Sequence, residues 1–355
     1  MKAYLHIYEL IKHAIVTGAY PYGSKIPSKR VCAQDNNVSL VTVEHAYELL
    51  AEEGYIEPKQ RSGYIVAYKE SDIFLTTESS QALPVHSINV VANPNVDEQF
   101  PFSVLTKTMR KVLLDYGESI MVKSPGCGHG DFRAAIAGYL ARSRGIEVQP
   151  EQIVIGAGAE YLYGLIVELL GRGKTYAIEN PSYEKIEQVY RARGVDIELL
   201  PISKHGISSK ALEGSEADVL HVTPYRSYPT GVTATISKRK EYITWASSGG
   251  RYIIEDDFES EFSLLRKPEE TLYQMSTQEN VIYINTFSRT ISPSIRVGYM
   301  VLPRTLIGTF EEKVGFYSCT VPMFEQLLIA QLLRSGDFER HINRIRRKRR
   351  NEGRA

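Results

Sequence analysis

The chain has 355 residues, with 42 lysines and arginines against 42 aspartates and glutamates, and its formal net charge is zero. This length accommodates two domains, and the balanced charge means that any binding to nucleic acid must come from a local patch. The three cysteines lack paired spacing, which excludes a disulfide framework and a zinc site. No apolar run approaches ~18 residues, which excludes a membrane span. We therefore predict a cytoplasmic protein with no metal and no membrane contact.

The first 68 residues predict three short helices followed by a two-stranded wing. Apolar residues recur at helical spacing up to Gly18, which ends the first helix. Ser28 is a good N-cap for a second helix, and a third is predicted to begin at Ser39 after a tight turn. Short apolar runs at 55–56 and 64–66 then flank a basic turn. A third helix that follows a tight turn is typical of a recognition helix that enters the major groove of DNA.

The run GSKIPSKRVCAQDNNVSLVTVEHAYELLAEEGYIEPKQRSGYIV, residues 23–66, resembles the winged helix-turn-helix of the GntR family of bacterial regulators. The resemblance implies that a set of residues in the second helix, the recognition helix and the wing binds an operator in double-stranded DNA. These are Ser28, Arg30, Ser39, Thr42, Val43, Arg61 and Gly63. Leu40 stands where the family usually has an arginine, so one contact with DNA is missing.

The net charge of this segment contributes little to DNA binding. Up to Tyr68 there are seven lysines and arginines against seven acidic residues, whereas affinity for DNA comes largely from phosphate contacts. A homodimer that binds two half-sites would partly compensate. A winged helix that serves protein contacts remains the alternative.

After a polar linker at 69–86, residues 87–355 alternate between helical and strand patterns. Seven short apolar strands are predicted, at 153–155, 175–178, 197–200, 219–222, 252–254, 281–284 and 299–302. Helices are predicted between most of them, including 132–141, 161–170, 183–191, 238–246 and 324–333. This alternation predicts an α/β domain with a mostly parallel sheet, whose ligand lies at the carboxyl ends of the strands.

Several candidate site residues follow these strands. Gly158 and Ala159 lead into a helix, whose free backbone N–H groups could bind a phosphate. Tyr183 could lie flat against a planar ring, or be an ordinary core tyrosine. The acidic run at 255–257 ends a buried strand, where one carboxylate could pair with a protonated ring nitrogen, although acidic runs are more often solvated. The run NTFSRTISPSIRVGY, 285–299, supplies hydroxyls and an arginine that suit a phosphate, although such turns are often ordinary loops.

In this order, these segments resemble the fold type I pyridoxal-phosphate enzymes, the aspartate aminotransferase-like fold. Together with the winged helix, the whole chain resembles the MocR branch of the GntR regulators, which fuse a DNA-binding domain to an aminotransferase-like sensor. The resemblance implies that Tyr183 stacks on the pyridine ring and that Asp256 pairs with its nitrogen. It also implies that the cofactor phosphate is held by four residues, Gly158, Ala159, Ser288 and Arg296.

The chain departs from this family at the catalytic position. The residue after the serine of TFS is normally the lysine that forms the Schiff base with pyridoxal phosphate, and here it is Arg289. A guanidinium stays protonated and is a poor nucleophile. Phe258 replaces a usual tyrosine, and Arg226 with Ser227 replaces a usual His-Gln pair. The family also continues for a further C-terminal subdomain, so we expect a C-terminally truncated aminotransferase-like domain.

We therefore expect a transcriptional regulator whose large domain is a catalytically inactive sensor, with no catalytic residue. It would bind pyridoxal phosphate, an amino-acid adduct of it or another anionic effector without a covalent bond. The alternative is a pyridoxal-phosphate-dependent aminotransferase acting on an amino acid, with Lys238 or Lys240 as a replacement amine. A degenerate remnant that folds poorly is a third hypothesis.

Overall fold

The computed structural model describes residues 2–59, 63–69, 99–265 and 269–352. The chain divides into two compact units, Met1–Val91 and Ala92–Ala355. Most of the predicted linker lies outside the described residues. Among the helices that are described, none is both long and apolar enough to cross a membrane.

The N-terminal unit has the three helices and the two-stranded wing that the sequence predicts. Its elements are α1 (Ala3–Val16), α2 (Lys29–Asp35), α3 (Leu40–Glu52), β1 (Ile56–Lys59) and β2 (Gly63–Val66). The two strands are antiparallel, with Ile56 opposite Val66. The isoleucines of α1 and one face of α3 form the core because they recur at helical spacing, and Ile7 and Leu50 are fully buried.

Serine side chains begin both helices of the helix-turn-helix. The Ser28 Oγ accepts a hydrogen bond from the backbone N–H of Val31, and the Ser39 Oγ accepts one from the N–H of Thr42, at 3.3 and 3.2 Å. Each bond satisfies a donor that has no partner within its own helix.

Ser39→Ala is expected to lower the free energy of unfolding of the N-terminal unit by about 1 kcal/mol, because it removes the N-cap of α3. Urea denaturation followed by circular dichroism would measure the change. Ser39→Gly should lose only a few tenths of a kcal/mol, since glycine is itself tolerated at this position. Equal losses in the two variants would contradict a capping role.

The larger unit contains eight strands and ten α-helices within its described residues. In chain order they are α4 (Phe102–Tyr116), α5 (Gly130–Arg144), β3 (Ile153–Gly156), α6 (Ala159–Leu170), β4 (Thr175–Asn180), α7 (Glu184–Ala192), β5 (Asp196–Ser203), β6 (Gly206–Ile207), α8 (Ser209–Glu213), β7 (Val219–Val222), α9 (Ile236–Ser248), β8 (Tyr252–Asp256), α10 (Leu272–Met275), β9 (Val281–Thr286), β10 (Gly298–Val301), α11 (Ile307–Val314), α12 (Met323–Arg334) and α13 (Asp337–Glu352). All seven predicted strands are present. The two-residue strand β6 was not predicted.

The eight strands form one mixed sheet in the order β3-β10-β9-β8-β7-β4-β5-β6. The five consecutive strands β9, β8, β7, β4 and β5 are parallel to one another. Strand β10 runs antiparallel to both β3 and β9, and β6 runs antiparallel to β5. Strands β3, β7 and β10 are buried along their whole length, as expected for a sheet covered on both faces. The expected mostly parallel α/β sheet is confirmed.

The position of β10 decides which loops meet. Gly298, the first residue of β10, pairs with Gly156 at the end of β3 and with Thr286 at the end of β9. The segments that follow β3 and β9 therefore lie beside the segment that precedes β10. This places the turn at 285–299 next to the N-terminus of α6.

Candidate functional site

A cavity of about 430 Å³ lies at the carboxyl ends of these strands. It is lined by Ala159, Glu160, Tyr163, Tyr183, Ile186, Thr223, Tyr228, Asp256, Phe258, Thr286, Ser288 and Arg296. Five of the six residues expected to contact a cofactor are in this set. The sixth, Gly158, lies next to the cavity at the N-terminus of α6.

Gly158 adopts a backbone conformation that favours glycine, with φ of +86°. A Cβ at this position would lie 3.3 Å from Nη2 of Arg296, so a larger residue would also crowd that guanidinium. No side chain caps α6, and its first N–H groups therefore remain available to a ligand at the cavity.

Asp256 is the most deeply placed charged group of the cavity, with 6% of its surface exposed. The Tyr163 hydroxyl donates a hydrogen bond to its Oδ2. His221, on the adjacent strand β7, has its Nε2 3.9 Å from the same oxygen, and its Nδ1 lies 2.7 Å from the Tyr190 hydroxyl. A carboxylate has two oxygens that accept hydrogen bonds, so Asp256 retains acceptor capacity for a ligand.

Tyr163 and His221 were not predicted as site residues. Both are buried, and each approaches Asp256 from a different element, α6 or β7. Burial raises the pKa of Tyr163 well above its ordinary value, and the nearby Asp256 raises it further. Tyr163 therefore stays protonated and can donate its hydrogen bond to Asp256.

Aromatic side chains form the walls of the cavity. The rings of Tyr183 and Tyr228 are 6.3 Å apart and nearly perpendicular, and both side chains are partly exposed. Phe258 also lines the cavity. Such walls can pack against a planar ring.

Glu179 fixes the loop that follows β7. It accepts hydrogen bonds from the Ser227 hydroxyl at 2.7 Å and from the N–H of Thr223, which lines the cavity, at 3.1 Å. Burial raises the pKa of Glu179 to about 7, and these two hydrogen bonds oppose the shift. Ser227, one of the two departures from the family in this loop, thus helps to position the cavity wall.

Near Arg296 and Ser288, on the side of the cavity where the sequence predicts a phosphate, lies the carboxylate of Glu160, which was not predicted as a site residue. This is called the phosphate side of the cavity below. Nη2 of Arg296 lies 2.6 Å from Oε2 of Glu160, and Nζ of Lys185 lies 2.8 Å from the other oxygen. The hydrogen bond from Lys185 lowers the pKa of Glu160, and Arg296 adds to this effect. The Ser288 hydroxyl donates to the backbone carbonyl of Ile295 at 3.0 Å. Both side chains expected to hold a phosphate are therefore engaged by groups of the protein.

Arg289 does not line the cavity. Its Nε lies 2.7 Å from Oε1 of Glu259, and its guanidinium lies 5.9 Å from the ring centre of Phe262. Arg296 is therefore the only cation among the described residues that line the cavity.

Neither alternative lysine lines the cavity. Lys238 is buried within α9, where its Nζ bonds to the Ser209 hydroxyl at 2.7 Å and to Glu241 at 2.6 Å. Lys240 lies on the same helix. A lysine held by a carboxylate in this way is not placed to attack an aldehyde in the cavity.

In the N-terminal unit, five of the expected DNA-contacting residues are at or near the surface. Ser28, Arg30 and Ser39 are exposed, Thr42 is half-buried, and Gly63 begins β2 with φ of +88°. The hydroxyls of Ser39 and Thr42 lie 2.8 Å apart. Arg61 lies outside the described residues.

Val43 is a correction to the expected DNA contacts. Its side chain is fully buried in the core between the helices, so it cannot reach a groove of DNA. Its neighbour Val41 is 73% exposed, and Leu40 is 45% exposed. The exposed start of α3 is therefore apolar at 40–41, which sequence periodicity could have shown.

Comparisons with known proteins agree with this division. Residues 3–66 match the family of bacterial regulatory proteins called gntR, and residues 87–352 match aminotransferase class I and II. The uncharacterized HTH-type transcriptional regulator YdeL of Bacillus subtilis is 33% identical, over 97% of this chain and 76% of its own length. The chain belongs to the transcriptional regulators that join a GntR-type helix-turn-helix to an aminotransferase class I and II domain.

Two further comparisons concern a regulator of the same organisation and the fold of the large unit. The probable rhizopine catabolism regulatory protein MocR of Rhizobium meliloti is 26% identical, over 96% of this chain and 73% of its own length. The fold of the large unit matches kynurenine aminotransferase from Pyrococcus horikoshii, with a TM-score of 0.64 and 24% identity. That match covers 70% of this chain and 64% of the aminotransferase. The class I and II fold belongs to a family that binds pyridoxal phosphate.

Proposed function

We propose that the aminotransferase-like domain of this regulator senses an effector and does not catalyse transamination. The effector would be a planar pyridine compound, with pyridoxal phosphate or its amino-acid adduct as candidates, bound without a covalent bond. One observation carries the proposal. Among the described residues, the cavity has Asp256 at its base and no lysine in its lining.

The residues of the cavity fit a pyridine ring better than they fit a covalent cofactor. Asp256 would pair with a protonated ring nitrogen, while Tyr183 and Phe258 would pack against the ring. Ser288 and the N-terminus of α6 would face the ring substituents. When bound, pyridoxal phosphate supplies an electron-withdrawing ring and an aldehyde, but the residue at the family's nucleophile position is Arg289, which stays protonated.

Equilibrium dialysis with pyridoxal phosphate, followed by borohydride reduction and intact-mass analysis, tests this proposal. We expect saturable binding that dialysis reverses, and no increase in mass after reduction. A reduced adduct on Lys238 or Lys240 would favour the aminotransferase alternative. Formation of a keto acid that depends on an added amino acid would then establish it.

The N-terminal unit would carry the response to DNA in the cytoplasm. GntR-type regulators bind DNA operators, and we propose that this chain binds as a homodimer to two half-sites. The exposed residues Ser28 and Arg30 on α2 would contact phosphates, Ser39 and Thr42 would face the groove from the start of α3, and the wing at Arg61 and Gly63 would contact the backbone.

Arg30→Ala is expected to weaken DNA binding about equally for different sequences, because a phosphate contact carries no sequence information. The slope of log K against log salt should fall by roughly one per subunit. Fluorescence anisotropy with a duplex selected by the wild-type protein from a random library would measure both quantities. Arg172→Ala removes an exposed arginine in the turn after α6, in the other unit, and is the control. An unchanged slope would count against the contact at Arg30.

A further inference from the structure

Three ionic side chains meet on the phosphate side of the cavity, and their arrangement bears on which ligand fits there. Glu160 is the second residue of α6, Lys185 is on α7 and Arg296 lies two residues before the start of β10. The two Glu160 oxygens are shared, one with each cation, at 2.8 and 2.6 Å. All three side chains are partly exposed.

The phosphate cradle is the part of the cavity formed by Arg296, Ser288 and the N-terminus of α6. We propose that the Glu160 carboxylate is the anion bound there by the protein itself, in the place of a ligand phosphate. The phosphate of a pyridine ligand then adds little to its affinity. The cavity would then select unphosphorylated pyridines, such as pyridoxal, about as well as their phosphate esters. This inference rests on the proposed function, because it concerns the same cavity and the same ring.

Charge in the cavity supports the proposal. Among the described lining residues, one arginine faces two carboxylates, Glu160 and Asp256. A phosphate monoester carries a charge of about −1.5 to −2 at neutral pH. It would therefore enter a site where Arg296 already has an anionic partner, and it would lie beside the like charge of Glu160, which Lys185 offsets only in part.

The hydrogen bond made by Ser288 also supports a small contribution of the ligand phosphate to affinity. The Ser288 hydroxyl donates its proton to the carbonyl of Ile295, so it must rotate and break that bond before it can donate to a phosphate. Of the expected phosphate contacts, the backbone N–H groups at the start of α6 remain. They lie on the same turn as the Glu160 carboxylate.

Glu160→Gln tests the proposal because it keeps the size of the side chain and removes its charge. The quantity to measure is the ratio of the dissociation constants of pyridoxal and pyridoxal phosphate, obtained by calorimetric titration. We expect this ratio to be below about threefold in the wild type. In the variant it should rise by about tenfold, because that is the effect of one unit charge at salt-bridge distance in a half-exposed site. The affinity for pyridoxal itself should change by less than about twofold, because pyridoxal has no phosphate for the charge of Glu160 to repel.

Glu168→Gln is the matched control. Glu168 is on the same helix and also joins two cations, Arg172 and Arg193, at 2.7 and 3.1 Å, but it does not line the cavity. It should leave the ratio unchanged. A wild-type ratio of about tenfold or more that Glu160→Gln does not alter would overturn the proposal.

A titration with inorganic phosphate tests the role of Glu160 independently of whether a pyridine compound is the effector. If neither pyridine ligand binds to the wild type or the variant, the proposed effector is wrong, and phosphate still tests the cradle. Glu160→Gln should then show saturable thermal stabilisation by phosphate at concentrations that do not affect the wild type. Adding Arg296→Gln to Glu160→Gln should abolish it. Equal responses of the wild type and Glu160→Gln would contradict the role of Glu160.

Discussion

Arg289→Lys is expected to give this regulator a covalent bond to pyridoxal phosphate, which we propose the wild-type chain does not form. Residue 289 follows Ser288, which lines the cavity, and it is the position at which the family carries its reactive lysine. A lysine amine can lose its proton and attack an aldehyde, whereas a guanidinium remains protonated. Borohydride reduction followed by peptide mapping should locate the adduct at residue 289, and the visible absorbance of the bound ligand should appear with it.

Glu259 is expected to limit the fraction of Arg289→Lys that reacts with the aldehyde. In the wild type it holds Arg289 through a 2.7 Å contact, and it would hold a lysine in its protonated form in the same way. Arg289→Lys combined with Glu259→Gln should therefore react more fully than Arg289→Lys alone. Arg193→Lys is the control, since Arg193 pairs with Glu168 and does not line the cavity. If ligand binds to the double variant and reduction adds no mass, residue 289 does not face the aldehyde.

Asp256→Asn is expected to weaken the binding of pyridoxal and of pyridoxal phosphate by about 10- to 150-fold, because a hydrogen bond to a charged group contributes ~1.5–3 kcal/mol. Asparagine keeps the volume of the side chain and can still accept the hydrogen bond from Tyr163. It can no longer offer a negative charge to a protonated ring nitrogen. Calorimetric titration of both ligands would measure the loss.

A ligand without the ring nitrogen separates this effect from a general loss of structure. The benzene analogue of pyridoxal phosphate should bind the wild type and Asp256→Asn with similar affinity. Asp196→Asn, which changes an exposed aspartate at the start of β5, is the control for charge. Equal losses for the pyridine and the benzene analogue would contradict pairing between Asp256 and the nitrogen.

The elements of both units could be predicted because their signals are local. Short apolar runs separated by helical patterns gave all seven predicted strands, and serine side chains marked the starts of α2 and α3. The convergence of Ser288, Arg296 and Asp256 on one cavity agrees with the rule that ligands lie at the carboxyl ends of parallel strands.

The partners of the site residues could not be predicted because they are distant in sequence. Glu160 and Arg296 are 136 residues apart, and Tyr163 and Asp256 are 93 apart. Nothing near Arg289 in a strand-end turn specifies that it will pair with Glu259. Val43 is different, because it follows the same helical spacing as Ala46 and Leu50 and its burial could have been deduced from that pattern.

The strand order has a consequence for how the protein forms during synthesis. Among the described strands, β3 pairs with β10 alone, and Val301, the last residue of β10, is made after more than half of the larger unit. The N-terminus of α6 therefore cannot meet the turn before β10 until that strand has left the ribosome. Since domains generally fold as units and long-range strand pairing is slow, the helix-turn-helix can fold well before a ligand site exists. A newly made chain would thus be able to recognise DNA before it could respond to any effector.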